Sequence, residues 1–326
     1  MNPKQNLYRI FGRFATGRYR RFIEENLRYS GMKIPLGDYL GQINLLGFLV
    51  FIMPILVSYL SFKKIQLIYL ISGIVLFSGV HFIGYLIIYF KTEERKSKIE
   101  NSLPDMLYLI AANMKSGMSP YNALKSSALE QFGPLKDEIE HAIALANSGK
   151  SLADSLLGIS RHVKSETLSR TLRIFTNAIK SGARMSSLLE ELANDISETR
   201  NLKRELVMNT KTYSLFIMFI IIIGAPLLMA ISIHLFDVIS GIQSSTLPSV
   251  SDNYGMNAFL GKTTITRQFL MSISITMLVI TGILSSMLLG VIKEGKMLYG
   301  MKYSPVVIIP SVILFYLVIY WVGNVI

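Results

Sequence analysis

Two stretches of this 326-residue chain carry residue types that cradle phosphate, Gly149-Lys150-Ser151 and Gly261-Lys262-Thr263. A phosphate loop needs another glycine five positions earlier, so that successive backbone N–H groups can curl around the anion. Those places hold Ala144 and Met256, so nucleotide hydrolysis is not expected. The histidines, His81, His141, His162 and His234, show no metal-ligand spacing, and no Ser-His-Asp order marks a triad. Without cysteine there is no thiolate ligand, disulfide framework or cysteine nucleophile. The expectation is a chain with no catalytic, cofactor-binding or metal residue, one whose energy comes from a partner.

The elements that would position any such group are membrane helices. Hydrophobic residues make up 51% of the chain, too many for an ordinary soluble fold. Five segments are apolar over the roughly 20 residues a helix needs to cross hydrocarbon. They are Ile43 to Ser61, Ile65 to Phe90, Tyr213 to Leu235, Phe269 to Ile292 and Val306 to Val325, and none contains Asp, Glu, Lys or Arg. Net charge is +12, and Lys and Arg gather on cytoplasmic flanks. Here they crowd the amino-terminal tail, the central region and the last loop, leaving Lys63, Lys64, Lys262 and Arg267 on the other side. The expected layout is a basic amphipathic cytoplasmic segment (1–42), a transmembrane hairpin (43–90), a cytoplasmic helical domain (91–212), a third span (213–235), an external loop (236–268) and a final transmembrane pair with a short basic cytoplasmic loop (269–326). The carboxyl terminus is then external, and no removable leader is expected. From Asn6 to Tyr29, Leu7, Ile10, Phe11 and Phe14 share one helical face ringed by arginines. Such a helix either lies in the headgroup layer, held by anionic lipid, or packs on the domain as a topology signal.

Within the central region one pattern recurs: Ser116-Gly117, Ser148-Gly149 and Ser181-Gly182, spaced 32 and then 33 residues apart, each with a leucine seven residues after the glycine. Those leucines are Leu124, Leu156 and Leu189. Glycine ends one helix and a polar residue caps the next, so the repeat reads as stacked helical hairpins. A helix is expected to open at Ser102-Leu103-Pro104-Asp105, a second at Ser119-Pro120, and further ones to end near Asn147, begin at Ser151, span about Ser165 to Lys180 and start at Met185. The fold class is all-α: an integral membrane protein with about five transmembrane helices and a six-helix cytoplasmic bundle.

Leu103-Pro104-Asp105-Met106-Leu107, Met114-Lys115-Ser116-Gly117-Met118-Ser119 with Ala123-Leu124, Ser148-Gly149-Lys150-Ser151-Leu152, and Ile179-Lys180-Ser181-Gly182 leading into Leu188-Leu189-Glu190 resemble the type II secretion F-domain family. Its members are membrane platform proteins of type II secretion, type IV pilus, Tad pilus and archaeal flagellum machines. The resemblance implies a platform without catalysis, worked on by a cytoplasmic ATPase hexamer and handling pilin-like subunits. Pilus-type platforms carry two such domains, whereas this chain carries one. That implies pairing with a copy of itself or with a second platform subunit.

Exposed turn charges are the candidates for ATPase contact: Lys115, Lys150, Lys180 and Arg184, with Arg170, Arg173, Glu190 and Glu191. Basic and acidic residues of the domain nearly balance, which is no nucleic-acid footprint. In the fourth span Gly282, Ser286 and Gly290 recur every fourth position and form a helix-docking face, for the chain's own spans or for a partner helix. Pro54, Pro226 and Pro310 sit inside spans and are expected to kink them. A membrane transporter would need a polar path through the spans, for which His81 and His234 are the candidates. A non-secretory membrane scaffold would share the sequence features but bind no secretion ATPase.

Overall fold

A computed structural model describes residues 17–32, 34–62, 67–181, 184–250 and 266–325. Leu7, Ile10, Phe11, Phe14, Lys63, Lys64, Gly182 and the second glycine-lysine pair at Gly261 lie outside them. The elements are α1 (Gly17–Ser30), α2 (Leu36–Phe62), α3 (Leu67–Lys115), α4 (Pro120–Ser127), α5 (Pro134–Asn147), α6 (Leu152–Ile159), α7 (Glu166–Ser181), α8 (Met185–Phe219), α9 (Ala225–Val250), α10 (Arg267–Glu294) and α11 (Ser304–Val325). No strand occurs among the described residues. Five helical stretches are long and apolar enough to cross a membrane: Leu36–Leu60, Tyr69–Lys115, Met185–Gly241, Arg267–Glu294 and Leu298–Trp321. The protein is a multi-pass membrane protein. Its chain forms two units, Met1–Arg200 and Asn201–Ile326.

In the first unit the bundle consists of the end of α3, α4 to α7 and the start of α8. The two fully described repeats close with identical hydrogen bonds. Gly117 and Gly149 have φ of 93° and 96°, a left-handed backbone that costs glycine nothing. Gly117 N donates to Met114 O and Met118 N to Asn113 O; in the second turn Gly149 N donates to Ala146 O and Lys150 N to Leu145 O. These pairs satisfy the last carbonyls of the preceding helix. Two residues after each glycine a serine caps the next helix: Ser119 Oγ accepts from Asn122 N at 3.4 Å and Ser151 Oγ from Asp154 N at 3.1 Å. Leu124, Leu156 and Leu189 are 1%, 0% and 0% exposed and meet in one core with Met106, Leu168 and Phe175. The repeat is thus a device for delivering three leucines to one centre.

No helix opens at Ser102. Pro104 lies inside α3, which runs unbroken for 49 residues. Proline lacks the N–H that would bond the Glu100 carbonyl, and neighbouring carbonyls in such a turn are free to take other donors. Arg200 Nη1 donates to Asn101 O at 2.8 Å, one turn before the proline. Tyr108 donates to Asn194, and Lys115 Nζ lies 2.5 Å from Glu190 Oε1, so α3 and α8 are joined antiparallel along the bundle. Tertiary bonds to α8 brace α3 on both sides of the proline.

The opposite end is tied by an ion pair. Arg95 Nη2 lies 2.5 Å from Glu138 Oε1, with the two side chains 16% and 10% exposed. Arg95 Nη1 also donates to Tyr29 O (3.2 Å) and His162 O (3.1 Å), and His162 Nδ1 lies 3.3 Å from Glu138 Oε2. One guanidinium therefore joins α1, α3, α5 and the loop after α6. Gly31, with φ of 69°, stands where a Cβ would fall 2.7 Å from Arg95 Nε. Ser165 adds a bond across the same end, donating to Glu100 Oε1 at 2.6 Å.

The apolar halves of α2 and α3 pack through small residues, as they must where lipid gives helices no hydrophobic reason to associate. A Cβ on Gly84 would fall 2.5 Å from Ile43 Cδ1, and Tyr39 donates to Gly84 O at 2.7 Å. His81 Nε2 lies 2.9 Å from Asn44 Oδ1 and its Nδ1 3.1 Å from Phe77 O, so both ring nitrogens are engaged within the helix pair.

In the second unit α9, α10 and α11 close around Ala230, Ile233, Leu278 and Phe315. A π-helical segment, Ile220–Gly224, precedes α9, and Ala225 N donates to Ile220 O. Pro226 follows at once, and its missing N–H accounts for the widened turn. α9 continues to Val250, beyond the expected end of the span at Leu235. Pro54 and Pro310 lie within α2 and α11.

Two stability outcomes follow from this packing. Leu124→Ala, Leu156→Ala and Leu189→Ala should each lower bundle stability by about 2–5 kcal/mol, whereas Leu129→Ala, at a 43% exposed site, should change it by under about 0.5 kcal/mol. Amide exchange of the full chain in detergent reads both. Arg95→Met or Glu138→Leu alone should cost about 3–5 kcal/mol by stranding a buried charge, and the double substitution less than the sum. Additive losses would mean that the two groups act separately.

Candidate functional site

α3 runs out of its apolar half to Lys115, and after that the helices alternate in direction. The Ser116-Gly117 and Ser148-Gly149 turns therefore fall at the same end of the bundle as the end of α7 and the start of α8, the end remote from the apolar half of α3. Side-chain bonds confirm the gathering: Tyr121 beside the first turn donates to Asn147 Oδ1 beside the second at 2.6 Å, and Lys115 reaches Glu190 on α8. What the arrangement presents is a face made of turns, of which the Gly117 and Gly149 turns are each held by backbone hydrogen bonds and a serine cap.

The sequence candidates divide on this surface. Lys115, Lys150, Lys180 and Arg184 are exposed at or beside the turns, with Glu190 and Glu191 in the second turn of α8. Lys115 and Glu190 pair with one another, at 53% and 37% exposure, an ion pair that water screens and that contributes at most about 1 kcal/mol. Lys150, Lys180 and Arg184 have no ion-pair partner among the described residues. Arg170 and Arg173 are exposed on α7 but lie well before its turn end; Arg170 stands about 15 Å from Lys180 along the helix axis. They belong to a different patch.

Gly149-Lys150-Ser151 is a helix-to-helix turn, with Lys150 N bonded back to Leu145 O rather than turned inward with its neighbours around an anion. His141 and His162, which no sequence spacing connects, meet edge to face with centroids 5.7 Å apart. Glu138 Oε2 lies 3.3 Å from His162 Nδ1, yet the described residues hold no group of three or more side chains placed for a metal. Glu138 serves Arg95 and His162 and is a structural carboxylate. It gave no signal in the sequence, because its partner is 43 residues away.

The small-residue face of α10 is occupied by the chain itself. A Cβ on Gly282 would fall 2.6 Å from Ile308 Cγ1, and one on Gly290 only 2.2 Å from Gly300 N. Ser286 is fully buried, and a Cβ on Gly300 would meet its carbonyl oxygen at 2.1 Å. Backbone against backbone at this distance leaves no room for a partner helix. Of the two occupants the spacing allowed, the chain's own last span is the one present. His234 lies half-buried in α9.

Comparison with known proteins bears on the helical bundle. An uncharacterized protein of Methanocaldococcus jannaschii is 26% identical over 240 residues, covering 72% of this chain and 77% of its own length. No solved structure matches. The family model for type II secretion system (T2SS), protein F, matches residues 106–233, which take in all three turns, their leucines and the helix that leads out of the bundle. The chain therefore carries a domain of the type II secretion system protein F family.

Proposed function

We propose that this protein is the assembly platform of a type IV filament or type II secretion-like machine in the cell membrane. The bundle faces the cytoplasm, where a hexameric ATPase engages its turn end, and pilin-like subunits are drawn from the bilayer and stacked on the opposite side. The chain itself performs no catalysis. With a single F domain, it pairs with a second copy or a related platform subunit.

The observation that carries this reading is the gathering of two capped turns, with the facing ends of α7 and α8, at the end of the bundle remote from the apolar half of α3. A motor needs a surface that does not deform when pushed. Here that surface consists of turns whose backbone groups are already bonded and whose leucines are locked into one core. The free cations Lys150, Lys180 and Arg184 give it a charge that an acidic rim on the motor can meet. The uncharged character of the expected spans agrees with a mount rather than an ion path.

The test is capture of a secretion ATPase from the same organism by the full-length protein in detergent. Lys150→Glu with Lys180→Glu and Arg184→Glu should weaken capture by about tenfold or more, since like charges set against one another across an interface cost on the order of several kcal/mol. Arg170→Glu, outside the turn end, should leave it unchanged. Equal capture by all variants would exclude the turn end as the docking face, and a reconstituted chain that hydrolyses ATP or moves solute would overturn the platform reading itself.

A further inference from the structure

Beyond the bundle core, one face of α8 is left bare. Thr199, Leu202, Leu206, Asn209 and Tyr213 are all exposed, Leu202 to 56% and Leu206 to 66%, and they follow one another at steps of three, four, three and four. Those steps keep them in one narrow stripe, the kind of seam that two coiled helices bury between them. The adjacent stripe, Val207, Thr210, Ser214, Ile217 and Ile221, is buried or half-buried in the chain itself. α8 thus has one face in use and one without a partner among the described residues.

Lipid covers only the last part of that bare face. The uncharged run of α8 begins after Lys211, and Leu206 and Leu202 precede Tyr213 by seven and eleven residues, about 10 and 16 Å along the helix. The headgroup layer extends only about 6 Å beyond the hydrocarbon on each side. Between the two leucines stand Lys203, Arg204 and Glu205, all exposed. Apolar side chains in a row, in water and between charges, are suited to another protein surface.

The charges beside the seam select that surface. Glu198 and Lys203 are exposed and have no ion-pair partner among the described residues. Neither can acquire one on its own helix: three and four residues from Glu198 stand Asn194, Asp195, Asn201 and Leu202, and around Lys203 stand Thr199, Arg200, Leu206 and Val207. With Thr199 as position a of a heptad, Glu198 is g and Lys203 is e, the positions that pair across two parallel helices. Copies inserted by the same route share one orientation in the membrane, so their α8 helices meet parallel, about a twofold axis along the membrane normal. Each Glu198 then faces the other copy's Lys203. Asn209, whose amide has no hydrogen-bond partner among the described residues, falls in the same seam. A carboxamide both donates and accepts, so across a twofold axis it complements itself, and one polar layer among leucines fixes the register.

We propose that the seam from Thr199 to Tyr213 is the surface through which two copies of this chain pair, as a short parallel coiled coil between the bundle and the bilayer. This gives a location to the self-pairing proposed above, on which it rests. The leucines supply the buried area, the Glu198 and Lys203 pairs set the alignment, and the shared membrane excludes the antiparallel arrangement.

Because the chain contains no cysteine, single cysteines report the pair without background. In liposomes oxidised with copper phenanthroline, the full-length chain should form disulfide-linked dimers at Leu206→Cys and Asn209→Cys at least about tenfold faster than at Met208→Cys or Lys211→Cys, which are exposed on the far side of the helix, since a disulfide needs Cβ atoms within about 4.5 Å. Glu198→Lys or Lys203→Glu alone should slow linkage at Leu206→Cys about fivefold by setting like charges together, and the two combined should restore it. Equal linkage rates at positions 206, 208 and 211 would mean chance collision and overturn the seam. A chain that native mass spectrometry finds dimeric, yet that does not link at Leu206→Cys, would also overturn it and place the pair elsewhere. A monomeric chain would remove self-pairing as well. ATPase capture by the same preparations keeps these failures apart from the platform reading, which a monomer that still captures the ATPase would leave standing.

Discussion

The first unit depends on a single guanidinium. Arg95 touches α1, α5 and the loop after α6 while itself standing on α3, and its charge is met by Glu138 at 2.5 Å in a region largely shut off from water. A buried pair of this kind adds little net stability compared with apolar packing, but losing either partner is costly, so it enforces one arrangement. Gly31 shows how closely the chain has been fitted to it: any side chain there would occupy the place of Arg95 Nε. The leucine core gives the bundle its cohesion, and the ion pair decides how the bundle meets the helices leading out of it.

Leucines, turns and the surface at the turn end form one chain of causes. Glycines at φ near +95° turn the chain, serines two residues later begin the next helix, and the following leucine is carried by two helical turns into a shared centre. Because both described turns sit at one end, burial in the core and exposure at the tip are produced by the same short motif. The turn surface is thereby braced from directly beneath.

Much of this was legible beforehand, for identifiable reasons. The five apolar stretches, the capped turns and the three leucines are local patterns, and each left a mark at fixed spacing. Ser119 and Ser151 cap the helices their positions announce, and the glycine ladder on α10 announced close helix packing. What could not be read were long-range matters. Pro104 looks like a helix start because its local chemistry is that of a first turn; only α8, reaching over with Arg200, reveals it as an interior residue. Glu138 and His162 have no motif because their partners are far along the chain. The glycine ladder could not say which helix would lie on it.

The unbroken course of α3 has one more consequence. With 3.6 residues per turn, a single residue inserted between Phe90 and Arg95 would swing everything beyond it by about 100°, and would carry the guanidinium off the carbonyls of Tyr29 and His162. Seven residues would come nearly back into phase while raising the bundle about 10 Å further from the bilayer. Height and azimuth are thus locked together in this stretch, and an evolutionary change in the reach of the bundle is confined to near-whole turns of helix.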